Sequence, residues 1–272
     1  MWRYGPWAVV VGASDGIGAA FAEEIATRGG NVVLVARRQK PLDELSERLR
    51  TAHGILTRVV VADAGTPEGI SAVAGLSDDI GLLVCNAALA PVRPFLQLTP
   101  EELDAMLDLN CRSAANLAHA YGARFRNSGR GGIVLLSSMA GDQGSALVAH
   151  YAATKAYLRV LAEGLWAELR PHGVDVLASC PGLVRTPTFE RTHAAPPGRM
   201  VPPPMPPRTV ARETLNALSR GPSFIPGRRN RLLGSVARML PRRRAVLLAS
   251  RETGRLYPTE YRRTAPEDGS GG

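Results

Sequence analysis

Between an apolar run, Trp7–Val11, and an alanine-rich stretch of helical spacing at residues 17–28 lies Gly12-Ala13-Ser14-Asp15-Gly16-Ile17-Gly18. Three glycines in seven positions allow a tight turn that side chains would obstruct, so a buried strand runs almost directly into a helix. A chain that begins this way is committed to strand and helix in alternation, because an apolar strand followed at once by a helix must bury both faces.

The rest of the sequence keeps that rhythm. Apolar, strand-like runs recur at Asn31–Ala36, residues 58–62, Ile80–Cys85, residues 132–137, Val174–Ser179 and, weakly, residues 223–226. Between them Leu42, Leu45 and Leu49, a short segment at residues 67–76, and long segments at residues 100–126 and 150–170 have helical periodicity. Runs that are apolar without alternation belong in a sheet covered on both sides, and crossovers between parallel strands are right-handed. The predicted fold is therefore α/β: one Rossmann-type domain with a doubly wound parallel sheet of about seven strands and helices on both faces. Its span is residues 1–227, followed by a basic helical extension at 228–263 and a disordered tail at 264–272.

Charge separates the extension from the domain. The formal net charge is +9, and arginines cluster after residue 228, in Arg228, Arg229, Arg231, Arg238 and Arg242-Arg243-Arg244. Without interleaved aromatic residues this pattern does not suit a nucleic-acid module. Cys85, Cys111 and Cys180 lie far apart with no CxxC or Cys/His grouping, which argues against a disulfide framework and a metal site and fits a reducing cytoplasm. The first residues pass straight into a strand, and no apolar run reaches the roughly 18 residues of a membrane span.

The glycine turn opens a helix N-terminus, where exposed N–H groups suit a pyrophosphate; a ligand-free βα turn is the plainer alternative. One strand later, where a carboxylate would hold a ribose 2′-hydroxyl, the chain has Ala36-Arg37-Arg38. Guanidinium groups there favour a 2′-phosphate, hence NADP(H) over NAD(H). Tyr151 and Lys155 stand four apart on one helix face, after Ser137 and Ser138 at a strand end. A phenol whose acidity is raised by neighbouring positive charge can exchange a proton with an alcohol or carbonyl, although that spacing alone also describes an ordinary helix face.

In order, Gly12-x-x-x-Gly16-x-Gly18, Asn86-Ala87, Asn110, Ser138, Tyr151-Ala-Ala-Thr-Lys155 and Pro181-Gly182-Leu-Val-Arg-Thr186 closely resemble the short-chain dehydrogenase/reductase family from about residue 7 to 219. The Tyr4-Gly5-Pro6-Trp7 opening and Ala36-Arg37-Arg38 resemble its steroid and long-chain 3-oxoacyl reductase branch. The resemblance implies a catalytic tetrad. Tyr151 would be the general acid or base, Ser138 would bind the substrate oxygen, Lys155 would hold the nicotinamide ribose and lower the tyrosine pKa, and Asn110 would hold a relay water. It further implies cofactor contacts from Gly12, Ser14, Asp15, Gly16, Ile17 and Gly18 in the turn. Arg37 and Arg38, Asp63 with Ala64 near adenine, Asn86 with Ala87, and Pro181, Gly182, Val184 and Thr186 near the carboxamide complete the set. Val11 and Ala88 depart from the family's usual Thr and Gly. A homodimer or homotetramer is also implied.

Residues 183–208 place Phe189, Met200, Val201 and Met205 among prolines, a composition that suits an adaptable apolar lid. Such a lid points to a lipophilic carbonyl or alcohol substrate. In the extension, Leu232, Leu233, Val236, Met239 and Leu240 form an apolar stripe interrupted at Pro241. The stripe suits an anionic membrane surface, an acyl-CoA phosphate or a neighbouring subunit, while the plainer reading packs it on the core with a solvated basic face. The expected function is NADP(H)-dependent interconversion of a ketone or oxoacyl carbonyl and a secondary alcohol. The alternatives are a non-redox protein of the same fold, acting as a cofactor-binding regulator or scaffold, or an isomerase, cyclase or dehydratase.

Overall fold

The computed structural model describes residues 3–76, 79–192, 194–198 and 201–258. Its elements follow one another as β1 Trp7–Val11, α1 Gly16–Thr27, β2 Asn31–Ala36, α2 Gln39–His53, β3 Thr57–Val61, α3 Pro67–Ala74 and β4 Ile80–Cys85. Then come α4 Pro100–Leu107, α5 Ser113–Ser128, β5 Gly131–Leu136, α6 Ala149–Leu169, β6 Val174–Ser179, α7 Pro187–Arg191, α8 Pro207–Ala217, β7 Ser223–Phe224, α9 Arg228–Met239 and α10 Arg242–Leu256. The seven strands form one sheet in the order β3-β2-β1-β4-β5-β6-β7, every pair parallel. The order reverses between β1 and β4, and a ligand crevice opens at the carboxyl ends of strands around such a switch.

Burial on both faces explains the apolar runs. In β1, Ala8 and Val10 belong to a core with Phe21, Ile25, Leu42 and Leu49, whereas Val9 and Val11 join Leu117, Tyr121, Ile133 and Val176 on the other side. Alternate side chains of a strand point to opposite faces, so both must be apolar.

Three local departures from the sequence reading have physical causes. The long helix expected at residues 100–126 is broken by a π-helical turn, Asp108–Arg112; there the Asn110 side chain turns inward to bond Leu89 and Thr154. The proline-rich segment carries a five-residue helix, α7, because Thr186 caps it through Phe189 N–H and Pro187 occupies the first turn. The last strand stops at Phe224, two residues before a proline that could not donate to a ladder. The predicted tail and Met200 lie outside the described residues.

The glycine turn shows why these residues are small. A Cβ on Gly18 would stand 2.0 Å from the Gly12 carbonyl oxygen, and one on Gly12, at φ +85°, would stand 2.7 Å from Ala87 N. Gly18→Ala must therefore push β1 and α1 apart, and overpacking of this kind should lower the melting temperature by on the order of 5 °C in a thermal unfolding scan. An unchanged midpoint would show that the turn relaxes freely.

Candidate active site

The end of β5 and the start of α6 build the centre of the site. Ser137 Oγ donates to the Lys155 carbonyl at 2.6 Å, and Lys155 Nζ returns a hydrogen bond to the Leu136 carbonyl at 2.7 Å. Gly141, in the turn Met139–Asp142 that follows β5, allows this approach, since a Cβ there would lie 2.8 Å from Ala156 N. Ser138 caps that turn by accepting from Ala140 N–H at 3.1 Å. Its hydroxyl also donates to the Pro181 carbonyl at 3.5 Å and lowers the pKa of the neighbouring Tyr151, which sits one turn before Lys155. The Lys155 ammonium lies 5.5 Å from the Tyr151 ring centroid.

Burial dominates the acid–base character of both groups. It raises the Tyr151 phenol to about 12, the neighbouring Ser138 hydroxyl acting in the opposite direction and nearby Tyr257 raising it further. It lowers the Lys155 ammonium to about 8. The tyrosine in this structure is thus a weaker acid than usual. The reason is that removing the phenolate from water outweighs the other influences on it.

Asn110 is buried but borders neither of the cavities described below. Its amide donates to the Leu89 carbonyl at 2.9 Å and Thr154 Oγ1 at 3.0 Å, and its oxygen accepts from Leu89 N–H at 2.8 Å. Thr154 in turn donates to the Tyr151 carbonyl at 2.8 Å. The side chain therefore braces the π-helical turn against α6 at the backbone of the tyrosine.

Two cavities meet at this centre. A polar cleft of about 560 Å³ is bordered by Gly12, Ser14, Asp15 and Gly16, by Arg37 and Arg38, by Asp63 and Ala64, and by Ala87. An apolar pocket of about 500 Å³ contains Ser138, Tyr151, Lys155, Pro181, Gly182 and Val184. Ile17, Asn86 and Thr186 border both, so the two spaces adjoin across those residues. Ala88, in place of the family's glycine, stands at the same boundary. Gly18 borders neither: it is the point of contact between helix and strand.

The cleft fits an extended dinucleotide. Helix α1 opens onto it through glycines that only a bare backbone satisfies, and cationic groups stand at its far lip. Arg38 reaches across the turn to donate to Ser14 Oγ at 3.0 Å and the Asp15 carboxylate at 2.7 Å, while Arg37 faces the Asp63 carboxylate at 3.7 Å. Sequence reading gave Arg37 and Arg38 together; in the structure Arg38 is the one that overlies the glycine turn. Asn86, expected near the adenosine, donates to the Gly12 carbonyl at 2.9 Å and so also ties β4 to the turn.

The apolar pocket has a wall that sequence reading did not assign to it. Phe189 and Val201 border it as expected of a lid, whereas Met205 turns away and its sulfur receives a hydrogen bond from Asn230 at 3.0 Å. Leu233, Val236, Leu240, Leu248 and Tyr257 of the C-terminal extension supply the opposite side. The helical spacing of Leu233, Val236 and Leu240 was visible, but which face of the stripe turned inward was not, and Leu248 and Tyr257 carried no signal. The extension is fastened to the domain by Asp142, the last residue of the turn that Ser138 caps: its carboxylate pairs with Arg159 of α6 and with Arg238 of α9, and its carbonyl accepts from Arg242 at 2.7 Å.

Comparisons with known proteins agree with this geometry. The profile of the short chain dehydrogenase family matches residues 6–196, and the chain belongs to that family. It is 29% identical over 231 residues to a 7beta-hydroxysteroid dehydrogenase of Clostridium sardiniense, covering 84% of this chain and 88% of that one. It is 34% identical over 190 residues to very-long-chain 3-oxoacyl-CoA reductase-B of Danio rerio, covering 67% of this chain and 60% of the relative. Among solved structures, a short-chain dehydrogenase from Sphingobium yanoikuyae in complex with NADPH superposes with a TM-score of 0.74 at 34% identity, covering 81% and 87% of the two chains. The chain is accordingly an oxidoreductase of the dehydrogenase/reductase type that acts on CH–OH groups, and these relatives stand in the branch its sequence resembles.

The buried lysine has a measurable consequence. Because its pKa is lower folded than unfolded, the unfolded chain binds more protons between about pH 8 and 10.5, and stability gains from this residue as pH rises through that window. Lys155→Met removes the contribution. Chemical denaturation should show the stability difference between variant and wild type shifting in favour of wild type from pH 8 to pH 10; a pH-independent difference would contradict a desolvated ammonium.

Proposed function

We propose that this protein reduces an apolar ketone or 3-oxoacyl compound to a secondary alcohol with NADPH, Tyr151 delivering the proton. The observation that carries the reading is the meeting of the two cavities: a dinucleotide-shaped cleft with paired arginines adjoins an apolar pocket, and Ser138, Tyr151 and Lys155 stand in that pocket. The nicotinamide, when bound, supplies the hydride. Ser138 and Tyr151, lining the same pocket, offer two hydroxyls to a carbonyl oxygen. A phenol raised to about 12 is protonated at neutral pH, the state that a proton donor in reduction requires. Lys155 keeps a largely protonated ammonium beside the tyrosine and is the group that would hold the nicotinamide ribose. Thr154 and Asn110 hold the tyrosine's backbone in place.

The names of the relatives support the substrate class, one being a hydroxysteroid dehydrogenase and another a very-long-chain 3-oxoacyl-CoA reductase. Phe189, Leu233, Val236, Leu240 and Leu248 give the pocket an apolar lining that suits a ring system or long chain.

Tyr151→Phe keeps the ring and removes the proton. Ketone reduction, followed by NADPH consumption across a panel of hydrophobic ketones, should fall by roughly 10²–10⁴-fold while NADPH still binds, as read by its fluorescence. Full activity in the variant would remove Tyr151 from the mechanism. For the cofactor, Arg37 and Arg38 are the groups suited to a 2′-phosphate. Replacing both with Ala should raise the Kd for NADPH about tenfold or more, the loss of at least one charge-assisted hydrogen bond, and leave that for NADH within a small factor. Equal weakening of both cofactors would reject the NADP(H) preference.

A further inference from the structure

The C-terminal extension presents a surface that the reaction does not need. Between residues 228 and 258 the chain has nine arginines and one glutamate, which accounts for nearly all of its formal net charge of +9. Arg231, Arg238 and Arg255 are paired with Glu213, Asp142 and Glu252. Arg228, Arg229, Arg243, Arg244 and Arg251 have no ion-pair partner among the described residues and stand in solvent. Both helices begin with arginines and have no acidic residue in the first turn. The helix macrodipole disfavours that placement, so helix stability does not explain these charges.

Apolar side chains are set among them. Leu232, Val236 and Met239 follow at i, i+4 and i+7 and are 69%, 45% and 77% exposed, forming one outward stripe along α9. Leu247 and Leu248 are exposed among the arginines of α10. Val236 and Leu248 also border the apolar pocket, so the outward apolar surface is continuous with the pocket's rim.

We infer that α9 and α10 form a docking surface for an anionic lipid bilayer, the stripe entering the acyl region while the surrounding arginines meet phosphate and carboxylate headgroups, so that apolar substrate reaches the pocket from the membrane. Charge complementarity selects this occupant. In a two-fold contact the same patch would face itself, setting uncompensated arginines against arginines. A bilayer supplies opposite charge and an apolar phase together. Among the described residues no helix is long and apolar enough to cross a membrane, so the contact is with its surface.

The full-length protein should co-sediment with vesicles of phosphatidylcholine mixed with phosphatidylserine and not with phosphatidylcholine alone, and added salt should release it. Arg228→Gln/Arg229→Gln/Arg243→Gln should weaken that binding, each arginine contributing on the order of fivefold, and Leu232→Ser/Met239→Ser should weaken it in the same assay. None of these five residues borders either cavity, so reduction of a water-soluble ketone should continue in both variants. The vesicle assay requires no turnover, which separates failure of this surface from failure of the proposed reaction. Equal sedimentation with the two vesicle types, or wild-type binding by the arginine variant, would overturn the inference. Loss of a dimer in the Leu232→Ser/Met239→Ser variant, with no vesicle binding by the wild type, would assign the face to a second copy of the chain and overturn it as well.

Discussion

The seam between the end of β5 and the first turns of α6 is where the architecture and the chemistry constrain one another. Ser137 bonds the Lys155 carbonyl, Lys155 bonds the Leu136 carbonyl, and Gly141 lets the intervening turn lie against the helix backbone. These contacts bury an ammonium, which is costly in a low-dielectric interior and is tolerated only with good partners. The result is that Tyr151, in the first turn of α6, and Ser138, capping the turn that follows β5, line the same pocket. A second brace comes from Asn110 through Thr154, whose acceptor is the backbone of Tyr151 itself.

That arrangement explains how the sheet's switch point can serve two ligands of opposite character. On the β2 and β3 side the crevice is polar, ending at Arg37, Arg38 and Asp63; on the β5 and β6 side it is apolar and closed over by the extension. Asp142 links the two levels, since it ends the turn capped by Ser138, pairs by charge with Arg238 of α9 and accepts from Arg242 of α10 at its backbone carbonyl. A change in the roof is therefore coupled through one residue to the turn that Ser138 caps.

Much of this was legible from residues alone, for physical reasons. A parallel sheet buried on both faces leaves uninterrupted apolar runs, so β1, β2, β4 and β6 match their predicted bounds, and the bare glycine turn announces a close helix approach. Long-range decisions were not legible. Nothing local to residues 100–126 says that Asn110 will fold inward and interrupt the helix. Nothing in the stripe of α9 says that Leu233 and Leu240 will border a pocket while Leu232 and Met239 face out. The burial that raises the Tyr151 phenol was not legible either, because sequence reveals neighbours along a helix but not their depth. Arg38, rather than Arg37, lies over the glycine turn because the chain bends into α2 at that residue, its N-cap.

The central claim, that this protein transfers hydride from a nicotinamide to an apolar carbonyl, is tested most directly by following the hydrogen itself. With NADPH deuterated at the reactive carbon, and hydroxysteroid and long-chain 3-oxoacyl ketones offered in turn, mass spectrometry of the product should find deuterium on the new carbinol carbon. Product formed without deuterium, from cofactor labelled on either face, would contradict the account and point to isomerase, cyclase or dehydratase chemistry in the same pocket.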